Sequence, residues 1–403
     1  MQLLKENGKR LLGSIFGVLF FLVCLFLMNT PEEFTYLPVM MRFADRTMYI
    51  LSGCLVILYA FLKKKPFQDG LFLSSCVFCA YIMITTIAHQ GQTLTVFNNY
   101  IVRSVGTVLL FSLFFEIDPK KFGLTAYIYY LLIVLLNHAT AIGYRGLSWA
   151  EPTWIAGLPY DYVRILCGNY NLTFIYAAIA FALGWFVSEQ YAKWLHAVNF
   201  SMLAYSLYIG ILTDCYTEML VFGLMFILGL YALIFGRRGK RAKLPKVLNE
   251  YVFAAVNIAG AVVLYLNSAG KLPLIAGIDE QMHGRTPVWA FAVEKILEKP
   301  LFGNGLQVPL SESINYSHVH SLFLEMPYLS GIVGVLAFLG LALIIVLTIR
   351  KNRAGSFRFG FSFLFSLFFT ASIMEFYPVQ GMFTLFAILY YGSRAAMISE
   401  EES

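Results

Sequence analysis

Apolar residues fall along the chain in long runs separated by short polar breaks. A run of roughly 20 apolar residues lets a helix cross the hydrocarbon core of a bilayer. On that rule the pattern predicts spans near 11–28, 47–62, 71–88, 99–115, 123–141, 170–187, 194–213, 217–236, 251–268, 321–348, 359–375 and 378–392. The expected fold class is therefore an all-α integral membrane protein of about 12 transmembrane helices, one polytopic domain over 1–403. The first run follows Lys5, Lys9 and Arg10 but lacks a small-x-small cleavage site, so an uncleaved first span is expected.

The polar breaks alternate in charge. The N-terminus and every second connection carry Lys and Arg clusters: Lys63-Lys64-Lys65, Lys120-Lys121, Lys193, Arg237 to Lys246, and Arg350 to Arg353. With Arg358 and Arg394, that side holds 20 of the 29 basic residues, and the positive-inside rule makes it cytoplasmic. Both termini are then expected inside. Two outer connections exceed a turn, one over 142–170 and one over 269–320. Within the second, Trp289, Phe291, Ala292, Ile296 and Leu297 recur at helical spacing, with Glu294, Lys295, Glu298 and Lys299 opposite. This reads as a short amphipathic helix at the membrane surface, stopped by Pro300. Gly303 and Gly305 then allow a tight turn.

Composition agrees with the pattern. Hydrophobic residues make up 59% of the chain and charged residues 13%, against about 25% charged in soluble domains. The mean hydropathy is +0.71. A net charge of +6 is no nucleic-acid footprint, because the basic residues are dispersed over short loops. Cys76-x-x-Cys79 lies inside a predicted span, where packing explains it better than redox chemistry.

Candidate chemistry collects where the long outer loop meets the span at 321–348. His318 and His320 sit at that junction, and histidine is the side chain best suited to proton transfer near neutral pH. His320-Ser321, nine residues, Gly331, two residues and Gly334 resemble the signature of bacterial O-antigen ligases and their polysaccharide-polymerase relatives. Upstream, Gly284-Arg285-x3-Trp289 and Pro300-Leu301-Phe302-Gly303-Asn304-Gly305 look like the same family's arginine, tryptophan and Pro-x-x-Gly-x-Gly turn. The paired motifs cover about 50 of 403 residues.

The resemblance implies a GT-C-like membrane glycosyltransferase that takes a glycan from an undecaprenyl diphosphate carrier on the outer leaflet. The acceptor is another lipid-linked glycan or a lipid core. Inversion at the anomeric carbon, without metal or cofactor, is part of the same implication, and so is a bacterial cytoplasmic membrane. On this reading His320 is the base for the acceptor hydroxyl. Arg285 takes the charge of the departing diphosphate, since a guanidinium binds two of its oxygens at once. The chain has no Asp-x-Asp pair to hold a metal instead.

Other positions keep two readings. His318 is a substrate contact or an interfacial histidine, and would point away from His320 if the helix had already begun. Arg164, ahead of Cys167-Gly168-Asn169, contacts phosphate or sugar, or anchors a span at the interface. Arg103 lies inside an apolar span near its outer end, where a charge is functional or snorkels to the interface. Glu325 orients the motif loop or is a plain helix-start carboxylate. Gly303, Gly305, Gly331 and Gly334 are structural. Tyr216 stands where the family carries another arginine. A twelve-span transporter or flippase would fit the topology equally, but its polar residues would be expected at the midplane rather than in outer loops.

Overall fold

The computed structural model describes residues 2–31, 38–63, 68–143, 153–155, 158–160, 166–167, 173–212, 216–236, 259–260, 262, 265–266, 285–307, 310, 318–352, 355–373 and 379–401. The chain enters through α1 (Gln2–Leu12) and α2 (Ile15–Met28). The two are bent by 68° at Gly13 and Ser14, so the first apolar run is divided rather than continuous. Next come α3 (Pro38–Leu62), α4 (Gly70–Ala88), α5 (Thr93–Ile117) and α6 (Pro119–Gly143). A two-stranded antiparallel pair follows, β1 (Thr153–Ile155) with β2 (Leu158–Tyr160), in register Thr153 to Tyr160. That pair is a small correction to the all-α expectation, and it lies in the first long connection. The remaining elements are α7 (Thr173–Gln190), α8 (Leu195–Leu212), α9 (Tyr216–Gly236), α10 (Arg285–Glu298), α11 (Leu322–Lys351), α12 (Gly355–Ala371) and α13 (Val379–Glu401).

Among the described residues, five helices are long and apolar enough to cross a membrane: α4, α5, α6, α11 and α13. The bent pair α1–α2 would make a sixth, and parts of α3, α8, α9 and α12 are shorter apolar helices. The chain is a multi-pass membrane protein. Most of the run expected at 251–268 falls outside the described residues.

The centre of the bundle is α7, buried without interruption from Thr173 to Ser188. It packs against α6, α8, α12 and α13. Such a helix is apolar all round, as a fully enclosed one must be. Small residues bring its neighbours close: a Cβ on Gly184 would stand 2.4 Å from Asn199 Oδ1, whose amide donates to the Phe181 carbonyl.

A polar network closes the end of the bundle where α4 begins. Asp69, buried, accepts from the Tyr391 hydroxyl (2.9 and 3.0 Å), Ser112 Oγ (2.6 Å) and the Phe72 amide, and pairs with Lys63 at 3.5 Å. Lys63 reaches on to Glu116 at 2.9 Å. A buried charge persists only when paired and hydrogen-bonded in this way. From here α4 runs 19 residues, about 28 Å at 1.5 Å per residue, to the opposite end. At that end Thr86 Oγ1 accepts from the Leu306 amide at 3.1 Å.

Candidate functional site at the break in α11

The long helix α11 is not continuous. At Gly331 the backbone leaves the helix at φ 58° and ψ −166°, a region open essentially to glycine alone. In an unbroken helix Ile332 and Val333 would donate to the Tyr328 and Leu329 carbonyls. Here the Pro300–Gly305 turn takes all four groups. Ile332 and Val333 donate to the carbonyls of Pro300 (2.9 Å) and Leu301 (3.3 Å). The Tyr328 and Leu329 carbonyls accept from Asn304 (2.8 Å) and Gly305 (2.9 Å). Non-helical backbone in a spanning helix needs such protein partners, because lipid offers none.

Three motif glycines make this docking possible. Gly303 and Gly331 stand back to back, both with positive φ. A Cβ on Gly303 would lie 2.4 Å from the Ser330 nitrogen, and one on Gly331 would lie 2.4 Å from the Leu301 carbonyl. Gly305 passes close over Thr86 at the end of α4, where a Cβ would lie 2.7 Å from the Thr86 Cα. The chain is then clipped there, with the Leu306 amide donating to Thr86 Oγ1 (3.1 Å) and the Leu306 carbonyl accepting from Gln92 (2.9 Å). Gly334 lies one turn past the break, facing Tyr81.

The helix α10 leads into that turn. Its apolar stripe of Val288, Trp289, Ala292, Val293 and Ile296 is buried, and the helix packs against α11. This refines the amphipathic expectation: the stripe serves the protein interior, while Leu297, Leu301 and Phe302 stay exposed. On the outer side Lys295 pairs with Glu298 at 2.8 Å, and that hydrogen bond raises the ammonium above its ordinary pKa.

The histidine segment lies between these elements. α11 begins only at Leu322, so His318, Val319 and His320 precede the helix. His320 has φ 59°, uncommon for a residue with a side chain, and its ring centroid lies 4.1 Å from that of His318. His318 therefore does not point elsewhere, because the helix whose rotation would have separated the rings has not started. Between them Val319 is held twice: its N–H donates to Glu325 Oε2 (2.6 Å), and its carbonyl accepts from Trp289 Nε1 (2.9 Å). Glu325 is buried on the first turns of α11, with its oxygen on the loop backbone. The Leu322 amide donates to the Ser372 carbonyl (2.9 Å), fixing the start of α11 to the end of α12.

Arg285 opens α10, one helical turn before Trp289 and on the same face. Arg103 lies on a different element, in a π-helical stretch of α5 over Phe97–Val105. Single π turns inside α-helices are frequent at functional sites. Tyr100 of the same stretch is buried. Arg164 lies outside the described residues, as does the side chain of Tyr216. Among the described residues no three His, Cys, Asp or Glu side chains group as a metal site.

The comparisons with known proteins bear on this same region. Residues 200–339 match the family model described as O-antigen ligase. This stretch is thus similar to the O-antigen ligases. The matched stretch is about a third of the chain, from within α8 into α11, and it holds Arg285, both histidines, Glu325 and the four motif glycines. No curated protein and no solved structure matches the chain.

Sequence reasoning missed two parts of this end of the molecule. Trp289 was legible as a motif residue but not as the partner of a backbone carbonyl thirty residues on. Asn137 and His138, polar and buried near the end of α6, were passed over. Asn137 receives the Cys167 amide (2.8 Å) and donates to Thr173 (3.0 Å), while His138 Nε2 lies 2.8 Å from Ser206 Oγ. Two adjacent polar residues inside an apolar run were the available signal.

Proposed function

We propose that this O-antigen ligase-like protein is an inverting membrane glycosyltransferase. It transfers or polymerises undecaprenyl-diphosphate-linked glycan on the outer face of the bacterial cytoplasmic membrane, with both termini inside. The acceptor is a second carrier-linked glycan or a lipid core. His320 accepts the proton of the acceptor hydroxyl as that oxygen bonds to the anomeric carbon. The bond from the anomeric carbon to the diphosphate breaks, and its electron pair leaves on phosphate oxygen. Arg285, in the first turn of α10, receives that charge, and the helix N-terminus adds to the pull. No step uses a metal or cofactor. His318 and Arg164 contact substrate, and Arg103 serves the donor from α5.

One observation carries the reading: the His318–His320 loop is pinned by Trp289, one turn from Arg285, inside the region that matches the ligase family. The break in α11 favours a second reading, because transporters bind substrate at broken helices. There, however, the freed backbone groups face the substrate. In α11 the four groups at the break are taken by the Pro300–Gly305 turn.

Replacing His320 with Ala in the source cells tests the proposal. Loss of a general base costs on the order of a hundred- to ten-thousandfold in rate. Glycan extension should stop at normal protein levels, with carrier-linked repeats accumulating on the outer leaflet. Full-length glycan from His320→Ala would overturn the base, and accumulation on the inner leaflet would favour the transporter. In isolated membranes the wild-type reaction should persist in EDTA; its loss would overturn metal independence.

A further inference from the structure

Val319 carries no chemistry of its own, yet it is the residue that the surrounding elements hold. Its side chain is fully buried. Its N–H belongs to the peptide joining it to His318, and its carbonyl to the peptide joining it to His320. Glu325 fixes the first peptide at 2.6 Å and the Trp289 indole fixes the second at 2.9 Å. The torsion that follows the second peptide is φ of His320, at 59°. A left-handed backbone at a residue with a side chain costs free energy and persists only where its surroundings over-determine it. Turning that peptide would let φ relax and would swing the His320 ring away from its position 4.1 Å from His318.

We propose that Trp289 is a positioning residue for the base: by anchoring the Val319–His320 peptide, its indole N–H holds the His320 ring on the acceptor. The proposal rests on the assignment of His320 as base and adds how the base is aimed. It also gives α10 a second task. The same helix carries Arg285 one turn earlier, so the group that receives the leaving charge and the anchor of the base are set by one rigid element. Glu325, from α11, supplies the other fixed point. The distance between proton acceptor and leaving group is then set by how α10 packs on α11, where the buried stripe leaves little freedom.

The test is Trp289→Phe in the full chain, which keeps an aromatic body in the slot and deletes the donor. A second variant carries the sulphur analogue of tryptophan, benzothienylalanine, at position 289, isosteric but without the N–H. Three readouts are taken: glycan extension in cells, the thermal unfolding midpoint in detergent, and the rate at which diethyl pyrocarbonate modifies His318 and His320, followed by peptide mass spectrometry. Extension should fall on the order of ten- to a hundredfold, as a misplaced catalytic group does. The His320 modification rate should change severalfold while the midpoint stays near wild type. In a His320→Ala background, Trp289→Phe should cost nothing more. Unchanged extension, unchanged His320 reactivity, or a loss of extension that only follows a fall in the midpoint of both variants would each overturn the proposal. Those results leave the base itself standing. Full extension from His320→Ala would instead remove the base, and the proposal with it.

Discussion

Gly331 shows how a single residue type is dictated by its place. Its φ and ψ lie where a Cβ collides with its own backbone, and a Cβ there would also stand 2.4 Å from Leu301. Neither penalty can be relieved without undocking the turn that completes the broken helix. Gly331→Ala should therefore destabilise by on the order of 3 kcal/mol or more, the backbone strain alone being about 1–3 kcal/mol. Gly340 is the control: it lies in the same helix, and a Cβ there meets nothing within 4 Å. Thermal unfolding in detergent should show a clear fall for Gly331→Ala and none for Gly340→Ala. Equal midpoints would mean that the turn is not needed to satisfy the break. The same spacing of glycines was visible in the sequence, but its cause was not. A glycine pair says that backbone must pass close or turn left-handed, without saying what it passes.

At the level of elements, legibility followed how local each property is. Spans announce themselves because crossing a bilayer needs only a length of apolar residues, which any window of sequence reports. So α4, α5, α6, α11 and α13 stand where the runs are. The interruptions were not legible, because each depends on partners distant in sequence. The break in α11 is completed by the turn at Pro300–Gly305, well before it in the chain, and the split between α1 and α2 accompanies a contact of Lys9 with Glu116 at 3.3 Å. The His318–His320 loop was found by its residues and placed by none of them; Trp289 and Glu325 place it. Orientation is likewise read from charge, and the expectation can be checked at α10. Lys299 is exposed at its end, and Lys240 belongs to a connection with six basic residues over 236–246. In a background free of native cysteine, an impermeant thiol reagent on intact cells should label Lys299→Cys and spare Lys240→Cys. The reverse pattern would invert the whole topology and put the histidines inside.

Across the whole molecule, α4 separates two polar assemblies that do different things. Its far end is clipped to the turn that completes α11, and its near end begins at Asp69. About 28 Å of apolar helix lies between them. Asp69 joins α3, α4, α5 and α13 through Lys63, Ser112 and Tyr391, and its own side chain is fully buried. Removing one partner of a buried pair strands the others, at a cost of about 3–5 kcal/mol. Asp69→Ala should sit near the lower end of that range, because Lys63 keeps Glu116 at 2.9 Å. By contrast, the Lys9–Glu116 pair is exposed, with side chains 39% and 40% accessible, so Lys9→Ala should cost about 0–1 kcal/mol. Unfolding midpoints of the two variants in detergent should differ in that order. Glycan extension per folded molecule should stay at the wild-type level in Asp69→Ala, because among the described residues its partners Lys63, Phe72, Ser112 and Tyr391 belong to the opposite end of α4 from the turn clipped at Thr86. A variant that folds normally yet loses extension would show that the two ends of α4 are coupled, and that the basic end of the bundle takes part in the reaction.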